Sequence, residues 1–386
     1  MVGQGCPTYP TDPFLGRKID PLEADILVGI PPLAGQPCKF KSLSDLRKDF
    51  NMSYAIETLD LTRTFKKGKK KNNSKQPELI MALDKVYLTI DPGELFGVLG
   101  PNGAGKTTLI KILSTLLLPT SGIGLVDGID VAKYPEKVRK KINMVSGGEH
   151  SGYGILTVRE NLWLFSQLYG MQTKVALQRI DELMKLLGMQ EYSRLKISKL
   201  STGMRQKMNI IRGFVCDPQI LFLDEPTLGL DVQISREVRK LIKSWVKENQ
   251  KKTVLLTTHY MAEADELCDR VAIIDNGKVL TCDSPSNLKT SLKQDAVFHI
   301  EVNLMLDNLD RFNQIPGVRK FAYEHKPNTG RTDLKFILES DSYIAAVTEA
   351  IGNNGSKILS LSKAEPTLED VFVSLCGKGL EDENRA

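Results

Sequence analysis

The chain has 386 residues, 41% hydrophobic and 26% charged, which is an ordinary globular composition with enough apolar material for a full core. A net charge of +5 is small for this length and implies no strong nucleic-acid footprint. Six cysteines without a CxxC pair argue against a metal ribbon or disulfide framework, and no apolar run nears the ~18–20 residues of a membrane-spanning helix. The N-terminus lacks the basic and apolar regions of a signal peptide, so the chain is expected not to cross a membrane unaided. Two domains, or one large domain with an appendage, are expected.

Residues 1–52 stand apart, with Pro7, Pro10, Pro13, Pro21, Pro31, Pro32 and Pro37 crowding an extension that ends in a short predicted helix near Ser42–Phe50. Tyr54–Phe65 reads as a first strand and Ile80–Ile90 as a second. The lysine-rich stretch Lys66–Lys71 between them reads as a solvated hairpin tip, with attraction to an anionic membrane surface as the sharper alternative. Leu95–Leu99 has the continuous apolar run of a strand buried on both faces. After it comes Gly100-Pro101-Asn102-Gly103-Ala104-Gly105-Lys106-Thr107-Thr108, and then a predicted helix to Leu118 with apolar residues at 109, 112, 113 and 116. Helical spacing fills Thr157–Gly188, and apolar strands return at Ile220–Leu223 and Val254–Thr258. Beyond residue 292 the pattern predicts β-α-β-β-α-β, the ferredoxin-like order, and a last amphipathic helix carries Leu368, Val371, Phe372 and Leu375.

The segment 100–108 is a strand-to-helix phosphate loop. Backbone N–H groups wrap a phosphate chain only where no Cβ blocks approach, hence the glycines at 100, 103 and 105. Lys106 is placed to reach the β- and γ-phosphates, and Thr107 to offer its hydroxyl to Mg²⁺. Three further elements narrow the chemistry. Asp224 ends an apolar strand where a carboxylate suits the Mg²⁺ shell, and Glu225 follows where one orients a water. Leu200–Gln206 is a Ser/Gly turn opening a helix, and His259 ends the later strand. Taken singly, an Asp-Glu pair is usually surface and a lone histidine structural; their joint order and spacing are specific.

At these residues the chain resembles the ATP-binding subunit of an ABC (ATP-binding-cassette) transporter, over about residues 54–290. In that family Gly100, Pro101, Asn102, Gly103, Ala104, Gly105, Lys106, Thr107 and Thr108 form the Walker A loop around ATP. Ile220–Glu225 is Walker B with catalytic Glu225, Leu228–Asp231 the D-loop, and His259 the switch histidine. Phe65 falls where the family stacks an aromatic on adenine, and Ser201 and Gly203 where its signature turn binds the γ-phosphate held by a second subunit. The resemblance therefore implies ATP and Mg²⁺, a self-dimer or a pairing with a paralogous subunit, and a transmembrane permease partner without nucleic acid. It places the chain peripherally on the cytoplasmic face of the membrane. Where the family carries a glutamine that touches the metal, this chain has Ser146–His150 and no Gln, leaving Glu149 beside Thr107 and Asp224 as a candidate metal ligand.

The expected fold is an α/β P-loop NTPase with a helical subdomain, plus a small ferredoxin-like α+β domain. The expected segments are a Pro-rich extension at 1–52, the nucleotide-binding domain at 53–290 with its helical subdomain at about 150–215, an accessory domain at 291–377 and a tail at 378–386. Pro366–Phe372, Met204–Lys207 and Gly147–Glu149 are similar to the daunorubicin-resistance exporter branch, which implies export through a separately encoded permease. Its docking groove is expected around Glu149–Leu164, with Tyr153, Leu156 and Trp163 as apolar candidates. The alternative is a soluble ABC ATPase without a transport role. A repair-type protein needs a long coiled coil, which this sequence lacks, and a translation-type protein usually carries two cassettes where this chain has one phosphate loop. A glycan-exporter cassette would end in a β-sandwich, against the helix-interleaved pattern of 297–375.

Overall fold

The computed structural model describes residues 54–66, 79–146, 152–247, 251–292, 295–303, 309–326 and 329–376. The Pro-rich extension with its predicted helix, the hairpin tip beyond Lys66, and Gly147–His150 lie outside those residues. In chain order the first strands are β1 (Ile56–Lys66), β2 (Leu79–Ile90), β3 (Leu95–Leu99), β4 (Ser121–Val126) and β5 (Ile129–Asp130). Then come β6 (Ile142–Ser146), β7 (Ile220–Asp224), β8 (Thr253–Thr258), β9 (Arg270–Asp275) and β10 (Lys278–Asp283). They make an antiparallel sheet in the order β2-β1-β4-β5 and a six-stranded sheet in the order β10-β9-β3-β8-β7-β6. Within the second sheet only the β9–β10 pair is antiparallel.

The parallel strands are apolar throughout because both faces are covered. Successive side chains alternate between two cores. Phe96, Val98, Phe222 and Leu255 join Leu109, Ile110 and Leu113 of helix α1 (Lys106–Leu113) and the antiparallel sheet's Ile56, Leu61 and Val86. Leu95, Leu99, Leu221, Leu223 and Leu256 point the other way. Helix α1 ends five residues before the predicted Leu118. Thr115 takes φ +66°, which breaks the helical ladder and leaves Leu116 and Leu118 exposed.

After the short helix α2 (Pro135–Arg139), three helices pack against one another: α3 (Val158–Leu168), α4 (Thr173–Leu186) and α5 (Thr202–Val215). Thr157 and Glu160 close a capping box at the start of α3, with Glu160 Oε2 accepting from the Thr157 N–H at 2.8 Å. Val158, Leu162, Ile180, Leu183 and Met184 fill the space between the helices, as their spacing predicts. The second core is covered by α5 and by α6 (Val232–Lys247) and α7 (Met261–Leu267), and α8 (Pro285–Thr290) adds Leu288 to it.

The last part holds β11 (Ala296–Val302), β12 (Val318–Lys326), β13 (Arg331–Leu338), α9 (Ile344–Asn353), β14 (Ile358–Ala364) and α10 (Leu368–Cys376). Its antiparallel sheet runs β12-β13-β11-β14, the ferredoxin-like strand order. A six-residue 3₁₀ turn, Leu309–Gln314, stands where the first helix of that motif was predicted, and Leu306 lies outside the described residues. Helix α10 is two-sided. Leu368, Val371 and Phe372 enter the core that also holds Leu288 and Leu292, while Val373 packs on Val297 and Ile337 of the small sheet. Fully buried Asp370 pairs with Lys335 of β13 at 2.8 Å and accepts from the Thr367 N–H at 2.7 Å.

Candidate active site

Strand β8 lies between β3 and β7, with Thr258 opposite Leu99 and Thr257 opposite Asp224. The residues that follow, Gly100, His259 and Glu225, therefore leave three neighbouring strands at one end of the sheet. Open parallel sheets place their ligands there.

The loop after β3 is shaped by its glycines. Gly103 and Gly105 hold φ +83° and +107°, a region that costs other residues steric strain. A Cβ on Gly100 would lie 2.1 Å from the Ile274 carbonyl, and one on Gly105 2.3 Å from that of Ala82 on β2. Pro101 and Ala104 are buried, and the Ala104 carbonyl accepts from the Gly277 N–H at 3.0 Å. Asn102, Gly103 and Thr107 are exposed, and Thr108 is half-buried. Lys106 is buried, and its ammonium donates to the Gly100 and Pro101 carbonyls at 2.6 and 2.9 Å.

Asp224 Oδ1 accepts from the Thr257 hydroxyl at 2.5 Å and the Thr107 hydroxyl at 3.1 Å. Glu225 turns into the left-handed region at φ +48°. A non-glycine residue there costs about 1–3 kcal/mol and persists only where its surroundings enforce it. Here the Glu225 N–H donates to the Thr257 carbonyl at 3.0 Å. The turn carries the carboxylate off the line of the strand, so that Oε1 lies 3.2 Å from His259 Nδ1 and 3.8 Å from Lys106 Nζ. Loop, acidic pair and histidine thus converge.

Ser201, Gly203 and Asp231 gather in a second place. Ser201 caps α5 and accepts from the Met204 N–H at 3.3 Å, leaving Ser201 and Thr202 exposed. A Cβ on Gly203 would stand 3.7 Å from Ile234 and 3.8 Å from Leu230. Gln206 donates to the Pro226 carbonyl at 3.0 Å, and Asp231 accepts from the Ile234 N–H at 2.8 Å at the start of α6. The turn at Leu200–Gln206 and the segment 226–234 therefore pack together. Phe65, at the end of β1, pairs with Ile80, two residues before the Ala82 that touches the phosphate loop, and the Arg63 guanidinium covers one ring face at 4.7 Å. Glu149 lies outside the described residues.

Thr257 escaped the sequence reading. It is fully buried, and its only signal was a polar residue in an apolar strand run. No group of three or more His, Cys, Asp or Glu side chains among the described residues is arranged to hold a metal alone.

A phosphate loop after a central parallel strand, an acid pair at the end of the strand two places away and a histidine against the second acid define a P-loop ATPase. The ABC transporter family matches residues 83–228, and the family described as "ATP-binding protein DrrA1-3-like, C-terminal domain" matches 284–376. The daunorubicin resistance ATP-binding protein DrrA2 of Streptomyces coeruleorubidus is 33% identical over 78% of this chain and 92% of its own length. The bacitracin transport ATP-binding protein BcrA of Bacillus licheniformis is 32% identical over 85% of this chain and 99% of its own length. A solved cassette, a dimer in a post-hydrolysis state with ADP and Pi, superposes with a TM-score of 0.53 at 28% identity, covering 59% of this chain and 98% of that one. The chain belongs to the ATP-binding proteins of ABC transporters, and it binds and hydrolyses ATP.

Proposed function

We propose that two copies of this chain, or one copy and a paralogue, close head to tail over ATP at the cytoplasmic face of a membrane and power export through a separately encoded permease. The observation that carries the reading is the Glu225 carboxylate, held 3.2 Å from His259 and 3.8 Å from Lys106 at the mouth of the phosphate loop. In this reading residues 100–108 hold the phosphates, Phe65 lies against the base, Glu225 takes the proton of the attacking water and His259 orients Glu225 and the γ-phosphate. Ser201 and Gly203 serve the ATP held by the facing chain, beside Asp231. The exposed position of Ser201 at the start of α5 supports that assignment.

The oxygens of Thr107 and Asp224, 3.1 Å apart, are the hard donors that Mg²⁺ prefers. Such an ion needs only one or two protein oxygens when phosphates complete its shell. Bound there, it would neutralise phosphate charge. Glu149 is the remaining candidate ligand.

Closing a mostly open pair takes about 5.5 kcal/mol. Charge-assisted hydrogen bonds of ~1.5–3 kcal/mol each, over two sites, supply that, and loss of the γ-phosphate removes them. The partner surface is proposed on the helices α3 and α4 and the loop before them, where the expected Tyr153 and Trp163 are exposed, Leu156 is half-buried with Ile155 exposed in its place, and a groove runs past Thr157, Glu160 and Asp181. No helix among the described residues is long and apolar enough to cross a membrane, so the transport path is assigned to the partner. The relatives named for daunorubicin resistance and bacitracin transport support export. The same relationship supports segmenting the chain into 53–290 and 291–377.

Affinity purification of the full chain from detergent-solubilised membranes should recover a polytopic membrane protein. A chain that stays out of the membrane fraction with no such partner would favour the soluble class.

A further inference from the structure

Glu263 sits in the first turn of α7, four residues past His259, and is only 3% exposed. Acids this deeply buried are almost always paired. Its carboxylate faces the Thr258 and Thr227 hydroxyls, with Arg239 of α6 also near, and burial pushes its pKa up. Yet neither oxygen closes a hydrogen bond of ordinary geometry among the described residues. Arg239 Nε also lies 3.0 Å from Glu266 Oε2. The Thr258 hydroxyl accepts from the Tyr260 N–H at 3.0 Å and still has its own proton to give.

The two threonines are not equivalent in the chain. Thr258 immediately precedes His259 on the end of β8. Thr227 is two residues past Glu225, and its carbonyl accepts from the Leu230 N–H at 3.1 Å in the turn that leads to Asp231. One carboxylate therefore looks at both segments whose side chains meet at the phosphate loop. Glu225 holds a strained backbone that its neighbours must enforce.

We infer that Glu263 is a positioning residue for hydrolysis, whose carboxylate takes the Thr227 and Thr258 hydroxyls as the site closes and so locks the Glu225 turn to the His259 turn. The inference rests on the roles proposed for Glu225 and His259. No hydrogen bond or ion pair joins Glu263 to either among the described residues.

The test is steady-state ATP hydrolysis by the full chain, with Glu225→Gln run beside it. Glu263→Ala should lower kcat about tenfold while KM for ATP stays within about twofold, because the phosphate loop is untouched. Glu263→Gln, which keeps the shape and an acceptor oxygen, should recover most of that loss. Full kcat in Glu263→Ala overturns the inference. So does an equal fall in both variants that tracks a lowered unfolding temperature, the mark of packing alone. Should Glu263→Ala fail to fold, Thr227→Val and Thr258→Val decide: a double variant no slower than the worse single supports one shared lock, and multiplied losses overturn it. Near-normal turnover in Glu225→Gln would overturn the underlying assignment of the base instead, and this inference with it.

Discussion

Glu225→Gln is expected to slow ATP turnover by about two to four powers of ten, the usual worth of a positioned general base. The amide keeps the side chain's shape and its contact with His259, 3.2 Å away, but it cannot accept a proton from water. Binding should survive, because the phosphate loop and Lys106 are unchanged. The substitution also removes a negative charge from beside the γ-phosphate, so the ATP-bound pair should accumulate rather than turn over. Single-turnover hydrolysis combined with size-exclusion chromatography in ATP reads both effects. Turnover near that of the unaltered protein would show that another group serves as base.

Lys106→Ala is the second large effect, and it falls on binding. The ammonium is already drawn across the loop by the Gly100 and Pro101 carbonyls, so little ordering cost remains when it turns to phosphate oxygens. Two charge-assisted hydrogen bonds of ~1.5–3 kcal/mol each correspond to about two to four powers of ten in affinity. Titration with a fluorescent ATP analogue measures this directly. A change within about threefold, far short of even one such bond, would remove Lys106 from the phosphate site.

Much of this architecture is legible in the sequence where local chemistry decides the outcome. Leu95–Leu99 and Ile220–Leu223 are apolar without a break because a parallel sheet covered on both faces admits little else. Gly100 and Gly105 announce the loop because neighbouring carbonyls leave no room for a Cβ. Leu200–Gln206 reads as a turn opening a helix because the Ser201 hydroxyl meets the orphan N–H of Met204, the third residue of that helix.

Other features depend on partners far along the chain. Thr257 acquires its role only from the register that sets it opposite Asp224. Glu263 looks like one more acid on a charged helix, since nothing local says that Thr227 and Thr258 enclose it. Thr115 ends α1 inside an apolar pattern that by itself continues to Leu116. Likewise the periodicity of 368–375 predicts an amphipathic helix, but not that its two faces pack on different layers or that Asp370 is sealed against Lys335.

In the proposed dimer each ATP site needs a phosphate loop from one chain and a signature turn from the other. Mixing two inactive variants tests it most directly: Lys106→Ala, whose signature turn is intact, and Gly203→Asp, whose phosphate loop is intact. Each alone should be silent, whereas the mixed pair contains one complete site and should regain hydrolysis in proportion to the heterodimer formed. Silence in the mixture with heterodimers present, or full-speed hydrolysis by Gly203→Asp alone, would contradict the shared site.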